Sequence, residues 1–290
     1  MSTISALIGY PVKHSVSNYL FSLLANYAGI DDYHHLKIAT ESREIKKKID
    51  SLVNIECIGF NITMPYKLRV MDIVSEIDDS ALNSGAINCI KIKNKKMIGY
   101  NTDGVAAWQA ISRNLKKPKI GETVLIIGSG GTARSIIEKT LEFGLKTCVL
   151  YRNDDEALSL KSFFSNRSMF SIEKLNDKIL FDKLNEIDFL INTTPVGMKP
   201  DIVNSLVSSE IWNKLSKKRN LQTLYVLDVI LNPHKTKLLK DAERYGANTT
   251  SGLWMMIYQG LEAFKIWTEF DLLNSIDLMS VFKRLKNFAK

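Results

Sequence analysis

The sequence predicts an α/β protein of two domains, the second of them doubly wound. Three observations predict it. Strand-length apolar runs alternate with helical patterns almost throughout the chain. The run Thr123–Ile127 carries no charge, as suits a strand buried on both faces. That run passes directly into a glycine-rich turn followed by a helical pattern. With 290 residues, 45% of them apolar and 24% charged, the chain is long enough to bury a sizeable core and to form two domains.

In the first block, Ile4–Tyr10 reads as a strand, Asn18–Ala28 as a helix, Tyr33–Ala39 as a strand, Ser42–Leu52 as a helix and Ile58–Thr63 as a third strand. Ile87–Ile92 and Lys96–Gly99 read as a hairpin about Lys93-Asn94, and Asp103–Asn114 as a helix with its acid in the first turn. Lys116-Lys117-Pro118-Lys119 interrupts the pattern as a linker. Beyond it, strands at Thr123–Ile127, Thr147–Tyr151, Asp188–Ile191 and Leu224–Ile230 alternate with helices near Thr132–Phe143, Asp154–Phe164 and Lys235–Tyr245. Leu253–Trp267 is apolar on most faces and reads as a helix that returns to the first domain.

Composition removes several classes of function. No run approaches the ~20 uncharged apolar residues of a membrane span, and no basic segment with an apolar stretch opens the chain. Cys57, Cys89 and Cys148 are far apart and lack metal-ligand spacing, which suits buried thiols in a reducing, cytoplasmic setting and no metal site. The net charge of +8 is compatible with an anionic substrate, a pyrophosphate or a nucleic acid. A basic stripe with stacking aromatics is missing, so no nucleic-acid partner is expected.

The sharpest motif is Gly128-Ser129-Gly130-Gly131-Thr132-Ala133 between a strand and a helix. The first glycine permits a tight turn, the second lets the backbone approach a pyrophosphate, and Ala133 lets helix and strand pack closely. These six residues are candidate dinucleotide ligands in a Rossmann-type domain. At the end of the next strand stand Arg152 and Asp154, where an adenosine ribose is read. An acid there accepts from ribose hydroxyls, whereas an arginine pairs with a 2′-phosphate. Asn153 with following acids is equally the pattern of a helix N-cap. Acids oppose a 2′-phosphate, so NAD is favoured slightly over NADP.

In the first block Asn61 and Thr63 lie two apart at a strand end and point the same way, with Lys67 just beyond. Asn101-Thr102-Asp103-Gly104 places a carboxylate on a turn ahead of a helix. Taken singly, Asn61, Thr63, Asn88 and Asp103 read as strand-end and capping residues.

Together these segments resemble the shikimate dehydrogenase family. Gly9-Tyr10-Pro11-Val12-Lys13-His14-Ser15-Val16-Ser17, Asn61-Ile62-Thr63-Met64-Pro65-Tyr66-Lys67, Gly85-Ala86-Ile87-Asn88, Asn101-Thr102-Asp103-Gly104, the glycine loop, Asn232-Pro233-His234 and Gly252-Leu253-Trp254-Met255 with Gln259-Gly260 are similar to its motifs, in order. The resemblance implies an N-terminal α/β substrate domain of residues 1–103 and 253–290, and a Rossmann-type nucleotide domain of residues 104–252. It implies that Ser15 and Ser17 hold a substrate carboxylate, while Asn61, Thr63, Asn88 and Gln259 ring the hydroxyls with Lys67 and Asp103. Those last two resemble the catalytic pair, Lys67 moving the proton and Asp103 orienting it. Thr193, Gly252 and Met255 are implied as further cofactor contacts.

The expected enzyme acts on shikimate with NAD or NADP, in aromatic precursor metabolism, as a monomer or homodimer. Three positions depart from the family pattern: Asn18 replaces a proline, Phe21 a histidine, and Leu231 a tyrosine that contributes to the carboxylate site. Quinate or a related polyol is therefore the alternative substrate. A non-catalytic sensor is a further alternative, which the presence of both Lys67 and Asp103 opposes.

Overall fold

A computed structural model describes residues 2–288. Residues 1, 289 and 290, assigned above to the first domain, lie outside the described residues. The chain divides into two compact units, one running up to Asp103 and resuming at Ile257–Phe288, the other spanning Gly104–Met256.

The first unit contains β1 (Thr3–Gly9), α1 (Ser17–Tyr27), β2 (Tyr33–Ala39), α2 (Ile45–Asn54), β3 (Gly59–Ile62), β4 (Glu76–Ile77), α3 (Asp79–Leu82), β5 (Cys89–Lys93) and β6 (Lys96–Tyr100). Its sheet has the order β2-β1-β3-β5-β6-β4. β1 pairs parallel with β2 and β3, while β5 pairs antiparallel with both β3 and β6. The β5–β6 hairpin turns at Asn94 and Lys95, both at positive φ, one residue later than the Lys93-Asn94 expectation. Two consecutive left-handed residues match the right-handed twist of the flanking strands. Apolar residues at alternate strand positions, Ala6, Ile8, Phe60, Ile62 and Ile90, pack on Ile45, Ile49 and Leu52 of α2.

The second unit begins in α4 (Asp103–Asn114), whose first residue belongs to the first unit. There follow β7 (Thr123–Ile127), α5 (Gly131–Glu142), β8 (Lys146–Tyr151), α6 (Asp154–Phe163), β9 (Phe170–Lys174), α7 (Asp177–Leu184), β10 (Phe189–Asn192), α8 (Ser209–Lys218), β11 (Tyr225–Asp228), α9 (Lys237–Arg244) and β12 (Asn248–Ser251). The order β12-β11-β10-β7-β8-β9 is parallel throughout, so the winding reverses beside β7, where open α/β sheets bind ligands.

α10 (Gly252–Thr268) carries the division between the units at Met256/Ile257. Within the first unit its end is fixed by Trp267, whose indole N–H donates to the Ile90 carbonyl at 3.0 Å. A Cβ on Gly59 would overlap that indole ring, so β3 needs its glycine for the helix to approach. α11 (Leu278–Phe288) completes the fold. No helix among the described residues is long and apolar enough to cross a membrane.

Candidate active site

Lys67 is delivered by an anchored loop. Tyr66 is buried and its hydroxyl donates to the Thr40 carbonyl at 2.5 Å, while the Lys67 carbonyl accepts from Ile87 N–H at 2.8 Å. The lysine backbone is thus held from both sides, and its ammonium donates to Asp103 Oδ2 in an ion pair only 13% and 7% exposed at its two side chains. A pair so withdrawn from water needs hydrogen bonds on its remaining atoms to be tolerated.

Asp103 has them. Asn88 Nδ2 donates to Asp103 Oδ1 at 2.7 Å, and Asp103 N–H donates to Asn101 Oδ1 at 3.0 Å. Asn88 is itself fixed, its Oδ1 accepting from Thr102 N–H at 2.8 Å and its carbonyl accepting from Asn61 Nδ2 at 3.2 Å. Thr102 Oγ1 reaches the Gln259 carbonyl at 3.4 Å. Asn61, Lys67, Asn88, Asp103 and Gln259 therefore share one connected network, with Thr102 and Asn101 as members that sequence reasoning left without a role. Their signal was the Asn-Thr-Asp turn, in which each short polar side chain can bond a nearby backbone group.

One atom of this network lacks a partner: Asn61 Oδ1 is buried and makes no hydrogen bond. A buried amide oxygen left so costs ~1–3 kcal/mol, so a ligand hydroxyl donating to it fits the site. Thr63 lies next to Gly9, where a Cβ would overlap the threonine methyl. Tyr10 N–H donates to the Met64 carbonyl at 2.9 Å, which brings the segment after β1 to the same sheet end as Lys67. That segment carries Ser15 and Ser17, whose hydroxyls are 3.1 Å apart. They form a second polar pair, joined to the Lys67 network through backbone rather than side chains.

In the nucleotide unit, Gly128 follows β7 at φ +120, and a Cβ there would collide with Thr193 Oγ1. Thr193 Oγ1 is held against it by donating to the Ile127 carbonyl at 2.8 Å. Gly130 is the N-cap of α5 with no side-chain capping bond, and a Cβ placed on it meets nothing within 4 Å. Open space over an uncapped helix N-terminus is the cradle a pyrophosphate requires. Ala133 is fully buried against the sheet. Gly252 cannot carry a side chain, because a Cβ would strike the Val229 carbonyl, and Met255 is buried one turn later.

At the end of β8 the structure shows the N-cap reading of the segment that carries the acids. Asn153 caps α6, accepting from Asp155 and Glu156 N–H groups. Asp154 turns to Lys174 at 2.8 Å on an exposed surface. Glu156, which sequence reasoning passed over, accepts from Ser129 Oγ of the glycine loop at 2.7 Å. Arg152 is exposed beside them.

The ends of β10 and β11 are tied by a buried carboxylate. Asp228 accepts from Asn192 Nδ2 at 3.0 Å and from Thr236 Oγ1 at 2.6 Å, and Asn192 Oδ1 in turn accepts from Thr194. Burial outweighs these donors and pushes the Asp228 carboxyl up to about 6. An acid whose folded value exceeds its unfolded value takes up a proton on folding, so its stabilising contribution is present below pH ~4 and is lost as pH rises to ~6. We expect the stability gap between the parent and Asp228→Asn to shift against the parent by up to ~3 kcal/mol between pH 4 and pH 7. Urea titrations across that range check it, and a gap independent of pH would contradict it.

Comparison with known proteins agrees with this geometry. Residues 7–90 match the family model described as the shikimate dehydrogenase substrate binding domain. The shikimate dehydrogenase (NADP(+)) of Methanococcus vannielii is 34% identical over 97% of this chain and 96% of its own length. That of Staphylococcus aureus is 36% identical over 97% and 98%. The structure of shikimate 5-dehydrogenase from Listeria monocytogenes, in complex with shikimate and NAD, superposes with a TM-score of 0.82 at 26% identity, covering 100% of this chain and 96% of that one. With the motif order, the two-sheet fold and full-length similarity in agreement, the chain belongs to the shikimate dehydrogenase family.

Proposed function

We propose that the protein is an NAD(P)-dependent oxidoreductase interconverting shikimate and 3-dehydroshikimate, with Lys67 and Asp103 as its catalytic residues. The observation that carries this is the buried Lys67–Asp103 pair, fixed by Asn88 beside the unpartnered Asn61 Oδ1. A bound nicotinamide supplies the hydride acceptor or donor. The protein's task is the proton. In oxidation Lys67, entering the step as the neutral amine, takes it from the alcohol as the hydride leaves and becomes the ammonium, and in reduction the ammonium gives it to the carbonyl oxygen. Asp103 holds Lys67 and bonds the same hydroxyl. Asn61, Thr63, Asn88 and Gln259 are assigned to the ring hydroxyls, and Ser15 and Ser17 to the carboxylate.

On the nucleotide side, Gly128, Ser129, Gly130, Gly131, Thr132 and Ala133 would hold the pyrophosphate, with Arg152, Asp154, Thr193, Gly252 and Met255 about the rest of the cofactor. The assay that tests the reading follows reduced cofactor by absorbance with shikimate and quinate, each with NAD and NADP. Turnover of neither acid with either cofactor would reject it. Quinate belongs in the matrix because Leu231 replaces the family tyrosine at the carboxylate site.

NAD is expected to be used at least as efficiently as NADP. A 2′-phosphate near an uncompensated carboxylate meets a repulsion of a few kcal/mol at an effective dielectric of ~20, before screening. Asp154 is balanced by Lys174 on the exposed surface, whereas Glu156, which the Arg134 charge also reaches, is bonded to the glycine loop itself. Glu156→Gln should therefore move the kcat/KM ratio toward NADP by about tenfold, and Asp154→Ser should move it far less. A parent strongly favouring NADP would contradict the preference, and a larger shift in the Asp154 variant would contradict the choice of acid.

A further inference from the structure

Between β1 and α1 the backbone makes no regular structure, yet this segment presents Ser15 and leads into Ser17, the first residue of α1. Something must hold it. Lys37 lies on β2, in register with Leu7 of β1. Its Nζ donates to the Ser15 carbonyl at 3.0 Å and to the Lys13 carbonyl at 3.2 Å. Two carbonyls of one loop are thus turned onto one ammonium, one of them belonging to Ser15, whose hydroxyl lies 3.1 Å from that of Ser17.

An ammonium has three donors, and neutral carbonyls do not cancel its charge. Among the described residues no carboxylate pairs with Lys37. Of the acids near it in sequence, Asp32 is engaged by Ser2 and His34 and Glu41 by Arg43, and neither Asp31 nor Glu44 forms an ion pair with it. On the same face of β2, two residues back, His35 is buried and stacked on Phe21. Burial, assisted by the Lys37 charge, holds its imidazole down to about 3 and therefore neutral. The loop segment itself adds Lys13 and His14 and no acid. Lys37, exposed on β2, is consequently a cation with no carboxylate partner among the described residues, held against the main chain of Ser15.

We propose that Lys37 is a positioning and specificity residue for the substrate carboxylate. It fastens the Ser15–Ser17 loop through two carbonyls and supplies the positive charge toward which the acid is drawn. Hydroxyl groups alone can orient a carboxylate but bring no net charge to it, so the preference for an acid over a neutral ring polyol is set by the lysine. The inference rests on the reading that Ser15 and Ser17 receive the carboxylate.

The test compares the parent with Lys37→Gln and Lys37→Arg, using shikimate and its uncharged methyl ester. Glutamine keeps N–H donors for the two carbonyls but removes the charge; arginine keeps both. Calorimetric Kd and steady-state kinetics are measured for each, with thermal unfolding to establish that each variant is folded. For shikimate, the glutamine variant should raise Kd and KM by about tenfold or more, with a much smaller change in kcat, and arginine should restore both to within about threefold. Binding of the ester should be nearly indifferent to the glutamine substitution.

Unchanged shikimate affinity in Lys37→Gln, or equal losses for acid and ester, would overturn the proposal, because the second outcome is that of a loop prop without charge recognition. A parent that turns over shikimate while showing either result rejects only the role of Lys37. A parent that neither binds nor oxidises the acid rejects the underlying reading as well.

Discussion

Lys67→Ala should lose ~10²–10⁴-fold in kcat for shikimate oxidation, the usual worth of a positioned acid–base group. Cofactor affinity should hardly change, since Lys67 sits in the first unit and the glycine loop in the second. The alanine variant also leaves the Asp103 carboxylate buried with Asn88 but without its cation, which can cost several kcal/mol of stability. A fall in activity could then reflect loss of fold. Lys67→Arg removes this ambiguity: it retains a positive charge for Asp103 but cannot release a proton near neutral pH. Both variants should be nearly inactive, with the arginine variant closer to the parent in urea midpoint and both close to it in NADH affinity by fluorescence. Substantial kcat in Lys67→Arg would show that the lysine acts through charge alone.

Much of this architecture was legible in the sequence because burial leaves a periodic record. Thr123–Ile127 was recognisable as a central strand, and it is the strand on which the second sheet reverses. β9, α7, α8 and β12 were not marked out. β9 lies at the sheet edge, and its Phe170–Lys174 stretch is only partly buried, so its alternation is weak. α8 is announced by Ser208, whose side chain caps it by accepting from Ile211 N–H, but its apolar stripe is confined to Ile211, Trp212 and Leu215, little more than one turn.

The candidate site divides in the same way. Lys67, Asp103, Asn88 and Asn61 were identifiable through motif resemblance, and the structure draws them into a network that no single motif contains. Glu156 and Lys37 were invisible because their roles depend on neighbours distant in sequence. Glu156 reads as one more acid in a helix first turn until Ser129 is seen to reach it across 27 positions. Lys37 reads as a solvated strand lysine until the carbonyls of Lys13 and Ser15 are seen to converge on it. Linear patterns record which face a residue occupies, whereas these roles come from where a loop folds back.

Gly130→Ala should separate cofactor binding from stability in a way that Gly128→Ala cannot. At Gly128 the backbone stands at φ +120 and a Cβ would collide with Thr193 Oγ1, so alanine there meets both backbone strain and a clash. Strain of this kind is worth ~1–3 kcal/mol, and unfolding in urea should register it together with weakened dinucleotide binding. Gly130 is different, with φ −78 and ψ −172, an extended conformation that alanine adopts without strain. A Cβ there touches no protein atom within 4 Å, so the urea midpoint of Gly130→Ala should stay near that of the parent. The same methyl would stand in the open space over the α5 N-terminus, where close approach of a pyrophosphate to the backbone is the reason for a glycine. NADH and NADPH affinity should therefore both fall, by more than about tenfold and by similar factors, since the pyrophosphate is common to the two cofactors. Shikimate affinity in the absence of cofactor should be preserved, because its proposed ligands belong to the other unit. Parent-like cofactor affinity in Gly130→Ala would mean that the pyrophosphate does not lie against this turn, whereas a loss confined to one cofactor would move Gly130 from the pyrophosphate to the ribose end of the site.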